Sequence, residues 1–297
     1  MNKIDLIFYP NSLIGFRSHY LEFLFKEYFN FCEYDSTKKY STKNTVFVVN
    51  VIGDKIWVVP YMEQGYKIIV DNLWEAKIDE YPGTFHLVNK NWFWYNESLW
   101  YEQLGYSKYI SNKTYCKLAF MPINRNDRIR DNIVDKLSIY LNQFIYSYKN
   151  IRLPNDADKL DLNWQRYFNS SWYNDTYFSL VIEASDKRKD FITEKTFKPI
   201  AFKHPFMIYS APGSLQYIKS QGFETYENLF DESYDGVRGS DRLDKIITNI
   251  EKFIQEPYDK TTLEKIEHNH ALFFNKKLVC KRIKEEIIEP LIEYAES

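Results

Sequence analysis

Thr193, Glu194 and Lys195, within Asp190-Phe191-Ile192-Thr193-Glu194-Lys195-Thr196-Phe197-Lys198-Pro199-Ile200-Ala201-Phe202, are three consecutive side chains able to hold an anion and a sugar at once. Thr193 has the type of an N-cap residue, so the pattern predicts a helix from Glu194 onward. The free N–H groups and partial positive charge of a helix start favour an anion, and Lys195 in the first turn adds a full charge suited to phosphate. Glu194 is the right acceptor for sugar hydroxyls. The same residues also suit a plain capped helix with Glu194 and Lys198 paired at i, i+4 on a solvated face, and the sequence leaves both open.

A second cationic turn is Pro122-Ile123-Asn124-Arg125-Asn126-Asp127-Arg128-Ile129-Arg130-Asp131. Arg125, Arg128 and Arg130 crowd one loop between an expected strand and an expected helix, and guanidinium forks bind phosphate bidentately. An exposed basic loop capped by Asp127 fits equally well. Carboxylates that could take a proton from an acceptor hydroxyl are Asp71 and Glu75, just past an expected strand end, and Glu97. Glu97 lies in the densest aromatic run, Trp92-Phe93-Trp94-Tyr95-Asn96-Glu97-Ser98-Leu99-Trp100-Tyr101. That run reads either as a sugar platform or as a packed helix with Asn96 as its cap.

The elements that must position these residues alternate strand and helix. Strands are expected at residues 3–9, 45–52, 66–71 and 84–88, with a helix over 18–31 after the loop 11–17. Thr45-Val46-Phe47-Val48-Val49-Asn50-Val51-Ile52 is the kind of β-branched run that forms a buried parallel strand. A second series follows a polar break: strands at 116–121, 177–185 and 206–209, and a helix in which Ile129, Ile133, Leu137 and Leu141 recur every fourth position. Further helices are expected to Gln221, where Gly222 stops the helix, over 240–256, and along an amphipathic stretch from Thr261 to the end. Residues 150–175 read as a long surface loop or an excursion on the acceptor side, and Phe223 to Phe230 as a short strand and turn. The fold class is therefore α/β, with an N-terminal Rossmann-like domain over 1–112, a second over 113–275 and a C-terminal helix over 276–297 that packs back on the first.

Composition narrows the partners. The 297 residues carry a net charge of -2, so no global basic field suits long stretches of nucleic acid. Aromatics make up 18% of the chain, a surplus that codon bias explains as well as a carbohydrate cleft does. Cys32, Cys116 and Cys280 are far apart without CxxC spacing, which argues against a disulfide framework or zinc site and suggests small core residues. The N-terminus reads as a strand rather than a signal peptide, and no apolar run reaches transmembrane length, so a cytoplasmic protein without membrane insertion is expected.

Over roughly residues 116–240 the chain resembles the donor-binding domain of fucosyltransferase-type GT-B glycosyltransferases. Val181-Ile182-Glu183-Ala184-Ser185 stands where that family has a Phe-Glu-Asn segment, and Phe191-Ile192-Thr193-Glu194-Lys195 where it has Tyr-Val-Thr-Glu-Lys. His204-Pro205-Phe206, Gly222-Phe223 and Asp231-Glu232-Ser233-Tyr234-Asp235 also look like glycosyltransferases common in large bacteriophages and other viruses. The resemblance implies two Rossmann-like domains facing a cleft, with Glu183 and Thr193 at the donor side, Glu194 on the nucleotide ribose and Lys195 on the diphosphate. Arg130 matches the family's loop arginine best, with Arg125 and Arg128 as rivals. It implies an inverting glycosyltransferase that needs no metal or other cofactor and takes a nucleotide sugar as donor. The acceptor would be a glycan or, in a phage, a hydroxymethylated DNA base, with the host cytoplasm as its location. A GT-B module that binds a nucleotide or carbohydrate without turnover is the alternative.

Overall fold

The β-branched run at Thr45–Val49 forms β3, the middle strand of a parallel sheet in the first of two units. The computed structural model describes residues 3–8, 25–43, 45–49, 61–70, 83–86, 91–123, 127–153, 169–184 and 186–297. One unit comprises Met1–Trp100 with Asn275–Ser297, the other Tyr101–Phe274.

In the first unit β1 (Ile4–Phe8), β2 (Phe29–Glu33), β3, β4 (Lys67–Val70) and β5 (Phe85–His86) lie in the order β2-β1-β3-β4-β5. Each pairs parallel with its neighbour, Leu6 facing both Phe31 and Val46. Ile7, Phe47, Ile68 and Val70 form one buried cluster, covered by Tyr34, Tyr40, Tyr61 and Tyr66. The last helix ties into this sheet: the Tyr294 hydroxyl accepts from the Ile68 N–H at 2.9 Å, and Lys67 Nζ donates to the Tyr294 carbonyl at 2.7 Å.

The aromatic run forms α1 (Trp92–Gln103), in which Trp94, Tyr95 and Tyr101 are fully buried. They are packing residues, which rules out these three as a sugar platform, and Asn96 sits inside the helix rather than capping it.

In the second unit β6 (Lys117–Pro122), β7 (Phe144–Ser147), β8 (Thr176–Ile182) and β9 (Phe206–Tyr209) lie in the order β7-β6-β8-β9, again parallel. Every residue of β8 and β9 is buried, as the continuous apolar runs require of strands covered on both faces. The helices are α2 (Arg128–Lys136), α3 (Ser170–Asn174), α4 (Glu194–Ala201), α5 (Ser214–Ser220), α6 (Gly239–Lys252) and α7 (Lys260–Phe273). Beyond them α8 (Lys276–Ile283), a π-helical turn at Lys284–Ile288 and α9 (Glu289–Glu296) belong to the first unit. Among the described residues no helix is long and apolar enough to cross a membrane.

Several expectations are corrected. Of the helix expected over 18–31, residues 18–24 lie outside the described residues, and residues 29–31 belong to strand β2, because Phe29 and Phe31 have β1 beside them to pair with and a pairing partner outweighs local spacing. The four-residue repeat from Ile129 breaks at Lys136: Ile129 is 42% exposed, and a 3-10 turn at Ser138–Gln143 delivers the chain into β7, a strand hidden by that repeat. Phe223–Phe230 is turns rather than strand, its backbone at Glu224 satisfied by the Asn269 side chain on both sides. Within the expected loop 150–175, Ser170–Asn174 is helical with Trp172 and Tyr173 buried. The terminal amphipathic stretch breaks at Asn275, which caps α8. Cys116 is exposed rather than a core residue. The loop expected at 11–17 lies outside the described residues.

His204, at the turn into β9, is completely buried. Its Nδ1 is 2.8 Å from Ser179 Oγ and its Nε2 2.9 Å from the Thr176 carbonyl, so the neutral ring donates from Nε2 and accepts at Nδ1. Burial, with the Lys113 ammonium nearby, holds its pKa well below the usual histidine value. The unfolded chain therefore binds a proton below about pH 6.5 that the native state refuses. Stability should fall as pH drops through that range, by up to about 1.4 kcal/mol per pH unit for this residue. Denaturant titrations from pH 7 to pH 5 should show a shallower decline for His204→Gln than for wild type; equal slopes would contradict the assignment.

Candidate functional site

β6 and β8 are neighbours at the centre of the second unit's sheet, with β7 beyond one and β9 beyond the other. The connection after β6 runs to one side and that after β8 to the other, so their carboxyl ends diverge and leave a crevice. Open parallel sheets bind ligands at such switch points. The two loops that flank it lead to the N-termini of α2 and α4.

α2 is capped by Asp127, whose carboxylate accepts from the Arg130 N–H at 2.9 Å and pairs with the Arg130 guanidinium. Arg130 is 7% exposed, and its Nη2 lies 3.4 Å from the Glu183 carbonyl, linking the start of α2 to the end of β8. Arg128 is exposed on the same turn.

Glu183 follows β8 directly. Its Oε1 accepts from the Thr193 N–H at 3.0 Å and the Thr196 hydroxyl at 2.7 Å, and its Oε2 accepts from the Thr193 hydroxyl at 2.5 Å. Burial pushes this carboxyl up; Lys195 opposes that, while Glu194 adds to it.

α4 starts where the sequence predicts, with Thr193 as N-cap accepting from the Lys195 N–H. Ile192 and Phe197, at the spacing of a hydrophobic staple, are both buried. Pro199 lacks an N–H, so the Lys195 carbonyl has no intrahelical donor four residues on. Lys195 Nζ sits 2.7 Å from Glu194 Oε1, at side-chain exposures of 22% and 14%. The pair is thus half-buried, with i, i+1 spacing, and Lys198, the i, i+4 partner considered from sequence, also acts electrostatically on Glu194. Burial works to raise the Glu194 carboxyl, but Lys195 and Lys198 together with hydrogen bonds outweigh it and bring it down from 4.5 to about 2.

A cavity of about 40 Å³ lies between α4 and the sheet, lined by Phe120, Tyr173, Ser179, Glu194, Lys195 and Lys198 among others. That is room for water, not for a nucleotide, so a larger ligand would have to lie along the rim. A roomier hollow of about 310 Å³ lies near Lys252–Asp259, where Asp259 caps α7 and Asn228 donates to Thr262.

The N-terminus of α5, past β9, is filled from within. Asp235 Oδ2 accepts from the Leu215 and Gln216 N–H groups at 3.1 and 3.3 Å, and its Oδ1 lies 3.0 Å from Nη2 of the fully buried Arg242. Asp235 is thus an internal anion at that helix start.

No protein-family model and no curated protein matches the chain. Among solved structures it is similar to one titled as an α1,3-fucosyltransferase with GDP, at 12% identity and a TM-score of 0.43, over 94% of this chain and 91% of that one. Likeness of that degree assigns neither family nor activity.

The structure brings Arg128, Arg130, Glu183, Thr193, Glu194 and Lys195 into the two loop-helix junctions beside one switch point. Arg125, Asp71 and Glu75 lie outside the described residues. Glu97 is in α1, 3% exposed, its Oε1 accepting from Asn96 Nδ2 at 3.1 Å. Thr196 and Arg242 were missed, while Lys198 and Asp235 were read only as a pairing partner and as part of a resemblance. Thr196 had a signal, since it stands at the third helical position where a capping box has its return partner. Arg242 had none, being a buried cation in a helix that reads as ordinary amphipathic sequence.

A carboxyl held at about 2 contributes stability that is present above about pH 4.5 and disappears as pH falls towards 2. For Glu194 that contribution is up to roughly 3 kcal/mol. The stability difference between wild type and Glu194→Gln should therefore be largest near neutrality and shrink on acidification. A difference that stays constant from pH 6 to pH 2.5 would contradict the ion-pair environment.

Proposed function

We propose that this chain is a glycosyltransferase of GT-B-like architecture that uses a nucleotide-diphosphate sugar. One observation carries the reading: the switch point between β6 and β8 is flanked by two helix starts bearing arginines on one side and a half-buried Glu194–Lys195 pair on the other. Lys195, Lys198, Arg128 and the α4 N-terminus supply positive charge where a diphosphate would leave, so charge stabilisation would not require a metal ion. Glu194, ionised at any physiological pH, accepts hydrogen bonds from ribose hydroxyls. Arg130 would join them by exchanging its Asp127 partner for phosphate.

Transfer with inversion further requires a carboxylate on the opposite face of the sugar to deprotonate the acceptor hydroxyl. Asp71, Glu75 and Glu97 are the candidates from the first unit, and Glu97 would need to become accessible to act. The acceptor is a glycan or a hydroxymethylated DNA base.

A thermal-shift panel of nucleoside diphosphates and nucleotide sugars tests the donor site. A ligand at about a hundred times its dissociation constant adds roughly 2.7 kcal/mol of stability. At least one nucleotide should raise the melting temperature, and Lys195→Ala should weaken its binding and turnover by about 10-fold or more, as losing a charged hydrogen bond does. A panel without any shift would overturn the reading.

A further inference from the structure

We propose that Glu183 is the positioning residue of the phosphate grip, acting through the α4 N-terminus and Arg130 instead of touching the ligand. This rests on the donor-site reading above.

The geometry is that of a capping box completed from a distance. In a capping box the residue at the third helical position reaches back to the N-cap N–H. Here that position is Thr196, whose side chain is too short, and the Thr193 N–H donates instead to Glu183 Oε1 at 3.0 Å. The Thr193 and Thr196 hydroxyls complete the carboxylate's set of donors at 2.5 and 2.7 Å. With the carboxylate buried and these bonds all directed inward, it has a structural occupation that a ligand would have to break.

The main chain of Glu183 is equally engaged. Its N–H donates to the Tyr209 carbonyl at 3.0 Å, extending the β8–β9 ladder, and its carbonyl lies 3.4 Å from Arg130 Nη2. One residue therefore fixes the start of α4, the guanidinium from α2 and the end of β9 relative to one another. The orientation of Glu194 and Lys195 follows from that attachment.

Glu183→Ala removes all three side-chain bonds. Glu183→Gln keeps an oxygen for the Thr193 N–H and Thr196 hydroxyl, and its amide can donate to Thr193 Oγ1. Thr196→Val deletes one bond without altering Glu183, and serves if the alanine variant does not fold.

The test is calorimetric titration with inorganic pyrophosphate, alongside amide exchange over residues 190–197. Wild type should bind. Glu183→Ala should bind about tenfold more weakly, equivalent to 1.4 kcal/mol, and lose protection at the Thr193 amide. Glu183→Gln should restore affinity to within about threefold, and Thr196→Val should fall in between. Alanine and valine variants that bind like wild type would overturn the proposal. So would a glutamine variant as weak as alanine, because the carboxylate charge and not its hydrogen-bond geometry would then be what the site needs. A wild type that binds no pyrophosphate overturns the donor-site reading, and the positioning role with it.

Discussion

The carboxylate of Glu183 is what the second unit's candidate site depends on. α4 has eight residues and a proline at the sixth, too short and too interrupted to define its own start by helical hydrogen bonding. The sheet imposes that start instead, through a carboxylate at the end of β8 that takes three donors from the first turn. A buried carboxylate is costly unless its lone pairs are satisfied, and here the donors that satisfy it are the ones whose position matters. Two neighbouring carboxyls are consequently driven apart: Glu183 upward by burial and Glu194 down to about 2 by its lysines. One holds the frame while the other stays charged at its edge.

Three helix starts at the carboxyl end of this sheet are finished differently. α2 carries its own anion in Asp127, and α5 receives one from Asp235, itself neutralised by Arg242. α4 is capped by the Thr193 hydroxyl, the buried Glu183 carboxylate takes its Thr193 N–H, and its first-turn Glu194 faces Lys195 and Lys198. Helix dipoles favour anions at every N-terminus, and at each of these three a protein carboxylate already answers that field.

Much of this was legible in the sequence, for reasons that differ by element. Buried parallel strands announce themselves as continuous β-branched and apolar runs, which is why β3, β4 and β9 lie within the expected segments and β6 and β8 overrun theirs by one residue each. Thr193 and Asp127 were readable as caps because capping is a local property of residue type. β2 and β7 were not, since each depends on a neighbouring strand that local periodicity ignores. At the site, Glu194 was legible as an acceptor and Lys195 as a cation, but their mutual pairing and partial burial show only in the fold. The role of Glu183 was hidden for the same reason: its partners lie ten and thirteen residues away and meet it only because β8 and α4 are adjacent.

The central claim is that a nucleoside diphosphate sits at the β6–β8 switch point, held by the start of α4. Photo-crosslinking with an azido-nucleoside diphosphate, followed by mass-spectrometric mapping, tests it most directly. The account predicts label on peptides spanning residues 122–133 and 183–198, competed away by the unmodified nucleotide. Competable label confined elsewhere, for example to the hollow around residues 252–259, would contradict it.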